Sequence, residues 1–271
     1  MNRITSCFEN LKSVNRKALI PFVTAGDPEP AATLPIMNAL VEGGADIIEL
    51  GIPFSDPMAD GPTIQQASQR ALAHNTGLAD VIDLVGDFRK ENDTTPVVLM
   101  GYLNPVEAMG YEAFTDRAVQ AGVDGVLLVD LPPEEAKSLD DMLEEKDIKL
   151  IYLVAPTTGD ERVASLCEAA SGYLYYVSVK GVTGSNKIDV SSVASGIDRI
   201  KSHTDLPVGV GFGIRDPETA AAIAEVSDAV IVGSVLVDIV AKNQSDLAGA
   251  CRELTALLFA MRNSIDSVTA G

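Results

Sequence analysis

The sequence predicts a single (β/α)8 barrel, the TIM-barrel form of the α/β class, with an extra helix at the N-terminus. Eight short runs rich in Val, Ile and Leu alternate with stretches of helical spacing. The runs are continuously apolar, as in parallel strands that are covered on both faces. The chain has 271 residues, close to the roughly 250 of a typical barrel of this kind. No shift in composition marks a second domain, so residues 1–271 are expected to form one.

The elements follow in a regular order along the chain. The extra helix is predicted over residues 4–14, where apolar residues have helical spacing. The eight strands are predicted over residues 18–23, 47–50, 97–100, 125–129, 149–154, 174–177, 208–211 and 229–232. The other helices are predicted over residues 30–43, 62–72, 78–90, 105–121, 133–146, 160–170, 190–203, 217–225, 235–243 and 245–261, and the tail beyond them is expected to fray.

The charge balance limits the classes of partner. Lys and Arg number 20 against 39 Asp and Glu, which gives a net charge of −19. Such a field repels nucleic acid and anionic membranes, so neither is an expected partner. It would also repel a phosphorylated substrate unless local hydrogen-bond donors offset the repulsion.

Cysteines and histidines give no sign of a metal site or of disulfides. Cys7, Cys167 and Cys251 are far apart, and the chain has only His74 and His203 beside them. This pattern fits reduced thiols in a cytoplasmic protein better than a metal cluster or a disulfide framework. The first twelve residues form no apolar signal region, and the longest apolar window, residues 229–241, is too short to span a bilayer.

The stretch around the second strand carries two carboxylates in unusual positions. Glu49 lies among apolar residues at the predicted strand end, and Asp60 lies on the Gly- and Pro-rich loop that follows. In a barrel of this kind the active site forms at the carboxyl ends of the strands. Among apolar neighbours Glu49 is expected to have a raised pKa, which suits an acid and base near neutrality. Asp60 is expected to stay ionised and to arrive when its loop closes.

Glycines in the loops after strands 6, 7 and 8 indicate a phosphate site. They lie in residues 180–184, in Gly211-Phe212-Gly213 and in Gly233-Ser234, which begins a helix. Glycine lets backbone N–H groups approach a ligand, and a helix N-terminus favours an anion. Lys180 is expected to be the only nearby cation. Taken singly, each glycine is better explained by a tight turn, and it is the three together that indicate phosphate binding.

The remaining strand ends are mostly apolar or aromatic. They carry Phe22, Met100, Tyr102, Leu127, Tyr175 and Phe212. Some of these are expected to be ordinary barrel core. Aromatic residues make up only 5% of the chain, yet four of them fall at this one face, which suits a flat apolar group bound beside the phosphate.

Three functions fit these residues. The first is acid–base catalysis by Glu49 and Asp60 on a phosphorylated substrate with a flat apolar group. The second is a different phosphate-binding barrel enzyme, such as a sugar-phosphate epimerase or isomerase, although the metal ligands or strand-end Lys that its chemistry would need are missing. The third is a non-catalytic barrel that only activates a partner.

Several stretches together resemble the tryptophan synthase alpha chain family, in order and over nearly the whole chain. They read PFVTAGDP at residues 21–28, ELGIPFSDPMADGP at 49–62, DLPP at 130–133, GVTG at 181–184 and GFGI at 211–214. The second stretch is the most specific. Lys180 and the SNK run at 185–187 depart from the family pattern, which affects the expected closure of the loop and not the chemistry.

The resemblance implies cleavage of indole-3-glycerol phosphate to indole and glyceraldehyde 3-phosphate by a retro-aldol reaction without a cofactor. Glu49 matches the family's acid and base, Asp60 the carboxylate that faces the indole N–H, and Thr183 the loop residue that closes onto Asp60. The phosphate binders are matched by Gly184, Gly213, Gly233 and Ser234, and the indole pocket by Phe22, Tyr175 and Phe212.

The resemblance also implies a partner. The family's partner is a PLP-dependent beta chain that receives indole through a tunnel in an αββα complex, so PLP is expected in the partner and not in this chain. The loop residues expected to face that partner are Pro53, Phe54, Asp56 and Pro57.

Overall fold

A computed structural model describes residues 1–178 and 189–269 of the chain. The eight predicted strands are present and form a closed parallel barrel in sequence order, which confirms the predicted fold. The strands are β1 (Ala18–Thr24), β2 (Ile48–Gly51), β3 (Val97–Gly101), β4 (Gly125–Leu128), β5 (Lys149–Val154), β6 (Leu174–Val177), β7 (Val208–Gly211) and β8 (Ala229–Val232). Pairing of β1 with β8 closes the barrel.

The helices surround the barrel and differ from their predicted bounds mainly at their ends. In the described residues they are α1 (Arg3–Ser13), α2 (Thr33–Glu42), α3 (Pro62–Ala73), α4 (Leu78–Arg89), α5 (Leu103–Met109), α6 (Tyr111–Ala121), α7 (Pro133–Glu145), α8 (Asp160–Ala169), α9 (Val190–Lys201), α10 (Pro217–Ala224), α11 (Ser234–Lys242) and α12 (Leu247–Thr269). A 3-10 turn, Pro30–Ala32, leads into α2.

Two helix predictions are wrong. The single helix predicted over residues 105–121 is two helices, because Gly110 adopts a φ of 87° and breaks the chain between α5 and α6. The tail expected to fray after residue 261 continues α12 to Thr269. Ile265 is fully buried one turn beyond Met261, so the apolar stripe of the helix extends further than its predicted end.

The extra N-terminal helix α1 packs into the barrel interior. Ile4, Phe8 and Leu11 belong to the same buried cluster as the inward-facing residues of the strands. The ring centroid of Phe8 lies 5.8 Å from that of Tyr173. Side chains from α1 and the strands therefore fill the barrel, and the loops at the carboxyl ends of the strands are left to form a site.

Candidate active site

Glu49 points into the barrel. Side chains alternate along a strand, and Ile47 belongs to the interior cluster whereas Ile48 and Leu50 pack outward against the helices. Glu49 therefore shares the inward face with Ile47, and its side chain is fully buried. A carboxyl group in such a place is costly unless it is paired or functional.

Tyr173 is the hydrogen-bond partner of Glu49. Its hydroxyl donates to Glu49 Oε1 at 2.6 Å, and Glu49 Oε2 is buried without a hydrogen-bond partner among the described residues. Burial raises the pKa of Glu49 to about 7, and the Tyr173 hydrogen bond opposes part of that rise. The predicted direction of the shift is confirmed, and the group can exist in both protonation states near neutral pH.

Sequence reasoning missed Tyr173. The carboxyl ends of the strands are where the sequence predicts functional groups, whereas Tyr173 immediately precedes β6 at the opposite end of that strand. The signal was nevertheless present, because Tyr173 and Tyr175 are two residues apart and must face the same side of the sheet. Both approach Glu49 closely enough for its charge to raise the pKa values of their hydroxyl groups, after the larger effect of burial.

Asp60 is held over the barrel by Tyr102. The Tyr102 hydroxyl donates to Asp60 Oδ2 at 3.0 Å and accepts from the backbone N–H of Ala59 at 3.0 Å. The ring of Phe54 stacks on Tyr102 with centroids 5.1 Å apart. Burial raises the pKa of Asp60 above its ordinary value, and the Tyr102 hydrogen bond partly offsets this rise. The sequence predicts only that Asp60 stays ionised, because its Gly- and Pro-rich loop gives no sign of the burial that raises this pKa.

The described residues enclose a small cavity between Asp60 and β1–β3. Its lining includes Phe22, Thr24, Ile64, Met100 and Tyr102. The cavity measures about 20 Å³, room for about one water molecule and well below the size of ordinary ligand pockets. A bicyclic ligand therefore requires that the Asp60 loop or the Phe22 ring move.

Two glycines leave room for aromatic side chains beside the strands. A Cβ at Gly51 would lie 2.6 Å from the Phe22 ring, and a Cβ at Gly211 would lie 2.0 Å from the Tyr175 hydroxyl oxygen. Both separations are too short for non-bonded atoms. Glycine at these positions therefore leaves the space that the two aromatic rings occupy.

The loop after β7 has an unusual backbone. Phe212 and Gly213 have φ values of 83° and 82°, and the first of these is rare for a residue with a side chain. The Ser178 hydroxyl donates to the carbonyl oxygens of Gly211 at 2.9 Å and of Phe212 at 2.8 Å, which holds the strained turn. The Phe212 side chain is 52% exposed, so in this structure it does not form a buried pocket wall.

Gly233 and Ser234 lie at the N-terminus of α11, beside the loop after β7. Gly233 caps the helix and Ser234 is its first residue. Arg215 Nη1 lies 3.5 Å from Ser234 Oγ, and its Nη2 donates to Asp238 at 2.5 Å. The expectation that Lys180 is the only nearby cation is therefore wrong. Arg215 follows Gly213 by two residues, so its closeness to the predicted phosphate loop was visible in the sequence.

Three residues of the predicted site lie outside the described residues, and one residue predicted to face a partner is buried. Lys180, Thr183 and Gly184 belong to the first group. Of the loop residues expected to face a partner, Asp56 is exposed, whereas Pro53 is buried within the chain. Leu127 is fully buried barrel core.

Residues 1–178 and 189–269 hold neither a candidate metal site nor a helix that could span a membrane. These residues contain no group of three or more His, Cys, Asp or Glu that could hold a metal ion. None of their helices has the length and apolar character needed to cross a bilayer.

Comparison with known proteins identifies the family. The family profile described as "Tryptophan synthase alpha chain" matches residues 8–266. A tryptophan synthase alpha chain from Marinobacter nauticus is 58% identical over 268 residues, which cover 99% of both chains. This chain belongs to the tryptophan synthase alpha chain family. Family members are lyases that cleave indole-3-glycerol phosphate to indole and glyceraldehyde 3-phosphate in tryptophan biosynthesis, and this is the function of the chain.

Solved structures of tryptophan synthase alpha chains share the fold over almost the full length. The alpha subunit from Legionella pneumophila is 45% identical with a TM-score of 0.91, covering 98% of this chain and 99% of that one. A chain of tryptophan synthase from M. tuberculosis, in a structure titled as the aminoacrylate-bound form, is 35% identical with a TM-score of 0.86 and covers 98% and 100%. Membership of the tryptophan synthase alpha chain family implies a complex with a beta chain.

Proposed function

We propose that Glu49 is the acid and base of the retro-aldol cleavage. Protonated Glu49 gives its proton to the indole ring carbon that carries the glycerol chain. The resulting carboxylate accepts the proton of the hydroxyl group on the adjacent carbon. The bond between those two carbons then breaks, its electrons return to the ring, and indole and glyceraldehyde 3-phosphate leave. One carboxyl group serves both steps and ends in its starting protonation state.

The observation that carries this proposal is the environment of Glu49. A fully buried carboxyl group with a pKa of about 7 is ready both to give and to take a proton at neutral pH. Its Oε2 has no hydrogen-bond partner among the described residues and so remains available to a substrate. Tyr173 holds Oε1 and fixes the orientation of the group.

Asp60 is the electrostatic partner in this proposal. Protonation of the ring carbon places positive charge on the indole nitrogen, and a carboxylate facing the N–H stabilises that charge. Tyr102 already holds Asp60 Oδ2, which leaves Oδ1 for the substrate. Phe22 and Tyr175 form the walls for the indole ring, Phe212 covers it once the site is occupied, and closure of Thr183 onto Asp60 completes the site.

The phosphate is proposed to bind between the loops after β6, β7 and β8. Gly184, Gly213, Gly233 and Ser234 would supply backbone N–H groups and one hydroxyl. The left-handed turn at Gly213 and the free N–H groups at the start of α11 support this placement, because both are suited to an anion.

The assembly is proposed to be an αββα heterotetramer in the cytoplasm, with this chain as one domain and PLP in the beta chain. The loop between β2 and α3 offers a surface for the partner, since Met58 is 80% exposed beside exposed Asp56. Co-expression with a beta chain should give a complex whose mass in solution equals two copies of each chain. A stable mass of one alpha and one beta chain would contradict the stoichiometry.

The role of Glu49 is tested by Tyr173→Phe. This change removes the hydrogen bond that lowers the Glu49 pKa and keeps the ring that packs on Phe8. Because the protonated form starts the reaction, kcat/KM should fall above a pKa near 7 in the unchanged chain, and this fall should move to higher pH in the variant.

Tyr176→Phe is the matched control for that experiment. Tyr176 is buried on the outward face of β6, among the residues that pack against the helices. Removing its hydroxyl should leave the pH profile in place. A profile that is also unmoved in Tyr173→Phe would show that the ionisation near pH 7 does not belong to Glu49.

A further inference from the structure

We infer that Arg215 binds the phosphate of the substrate, and that Asp238 pairs with its guanidinium until the phosphate takes that place. The inference rests on the proposed function, because it concerns the phosphate corner formed by Gly213, Gly233 and Ser234. It adds to that corner a charged side chain that neither the sequence analysis nor the family resemblance assigned.

The backbone around Arg215 is fixed on both sides. Ile214 is buried in the layer between barrel and helices, and Asp216 caps α10 by accepting from the backbone N–H of Thr219 at 2.8 Å. Arg215 therefore has little freedom in its main chain. Its side chain extends over the first turns of α11 and is 47% exposed, so solvent and ligands can reach the guanidinium.

The guanidinium spans two residues on one face of α11. Ser234 and Asp238 are four residues apart and lie one above the other on the helix. Arg215 Nη2 makes a close ion pair with Asp238 Oδ2 at 2.5 Å, whereas Nη1 lies 3.5 Å from Ser234 Oγ. The second distance is at the outer limit of a hydrogen bond, so this nitrogen is available for a stronger acceptor placed beside Ser234.

Electrostatic interactions favour movement of the Arg215 guanidinium from Asp238 to a bound phosphate. The chain carries a net charge of −19, which opposes binding of an anion. A planar guanidinium can hold a phosphate through two parallel hydrogen bonds. Asp238 does not lose all its partners when Arg215 turns away, because its Oδ1 accepts from the Thr63 hydroxyl at 3.2 Å.

Asp238 also links Arg215 to the helix that follows the Asp60 loop. Thr63 lies in the first turn of α3, directly after the loop that carries Asp60. Arg215, Asp238 and Thr63 therefore connect the phosphate corner with the start of α3. Binding of phosphate by Arg215 loosens this bridge on the side of Asp238 and leaves the hydrogen bond to Thr63.

The test compares Arg215→Gln with Asp238→Asn. A phosphate ligand and a structural ion pair give different results. Arg215→Gln should raise KM for indole-3-glycerol phosphate about tenfold and weaken competitive inhibition by inorganic phosphate to a similar degree, with kcat within about twofold. Asp238→Asn removes the competitor for the guanidinium and a negative charge, so KM and the inhibition constant for phosphate should both fall, by about threefold.

If the Arg215–Asp238 pair only stabilises the loop, breaking it from either side should change KM in the same direction, and that result overturns the inference. Arg252→Gln is the charge-matched control, because Arg252 on α12 forms an exposed ion pair with Asp246, the residue before that helix. It should leave both constants unchanged. If Arg215→Gln does not fold, Arg215→Lys replaces it, because lysine keeps the charge without the planar fork. The inference fails if both Arg215→Lys and Asp238→Asn leave unchanged the KM for the substrate and the inhibition constant for inorganic phosphate.

Ser234→Asp separates this inference from the proposed function. A carboxylate at the start of α11 should repel the phosphate and raise KM strongly if the substrate phosphate lies there. No effect in Ser234→Asp overturns the proposed placement of the phosphate, and the role of Arg215 with it. A raised KM in Ser234→Asp together with an unchanged KM in Arg215→Gln overturns the role of Arg215 alone.

Discussion

Glu49→Gln should reduce kcat for cleavage of indole-3-glycerol phosphate by about a thousandfold or more, with KM changed much less. Glutamine has nearly the shape of the acid but cannot give or take a proton, and a positioned acid and base contributes on the order of 10² to 10⁴ to a rate. The amide oxygen can still accept from the Tyr173 hydroxyl, which now holds Glu49 Oε1 at 2.6 Å. Release of indole under steady-state conditions measures the effect.

The pH dependence of the free energy of unfolding shows whether the Glu49→Gln variant folds as the unchanged chain does. The pKa of Glu49 is about 7 in the folded chain and close to 4.5 when unfolded, so the folded state binds the proton more tightly. The contribution of this pKa shift to the free energy of unfolding is fully present below pH 4.5 and is lost as pH rises through 7. Glutamine does not ionise. Relative to the unchanged chain, the free energy of unfolding of the Glu49→Gln variant should therefore increase by at most about 3 kcal/mol between pH 4 and pH 8.

Urea unfolding at the two pH values measures this difference, and Glu9→Gln on the exposed side of α1 serves as its control. The control variant should show wild-type kcat, because Glu9 is exposed on α1. A Glu49→Gln chain that folds and turns over substrate at near wild-type rates would falsify the proposed mechanism.

Asp60→Asn should reduce kcat by about a hundredfold or more. The neutral amide can accept the hydrogen bond from Tyr102 that now reaches Asp60 Oδ2, so the loop should keep its position. What is lost is the negative charge beside the indole nitrogen when the ring becomes cationic. Removing one such preorganised electrostatic contact costs on the order of 3 kcal/mol of transition-state stabilisation.

Asp141→Asn provides the matched loss of one negative charge far from the site. Asp141 is exposed on α7 and pairs there with Lys137. Its kcat should stay at the wild-type value, and the Asp60 variant should bind inorganic phosphate as well as the unchanged chain does. Equal losses of kcat in the two variants would mean that the overall charge matters, and not a carboxylate at the indole nitrogen.

Much of the fold follows from local pattern. The eight apolar runs, their spacing and the intervening helices predict the barrel, because continuous runs suit a sheet covered on both faces and alternation with helices requires parallel strands. Glu49 could be found because a carboxylate among apolar residues is exceptional in any strand. Gly110 shows the limit, since helical spacing continued across a residue whose backbone breaks the helix.

Contacts between distant parts of the chain could not be predicted in this way. Tyr173 reaches Glu49 across 124 positions of sequence, and only closure of the barrel brings β6 opposite β2. Arg215 and Asp238 meet because the loop after β7 lies over α11. Neither contact leaves a mark in local sequence, because the barrel alone decides which distant residue lies opposite each partner.

The strand on which Glu49 lies, the loop that carries Asp60 and the upward direction of the Glu49 pKa shift follow from the residue pattern. Only the three-dimensional structure shows how far the pKa of Glu49 rises and that the pKa of Asp60 rises as well. A pKa of about 7 at Glu49 requires that the barrel remove water from around it and that Tyr173 supply one hydrogen bond. Residue type fixes which proton can move, whereas burial and neighbours fix the pH at which it moves.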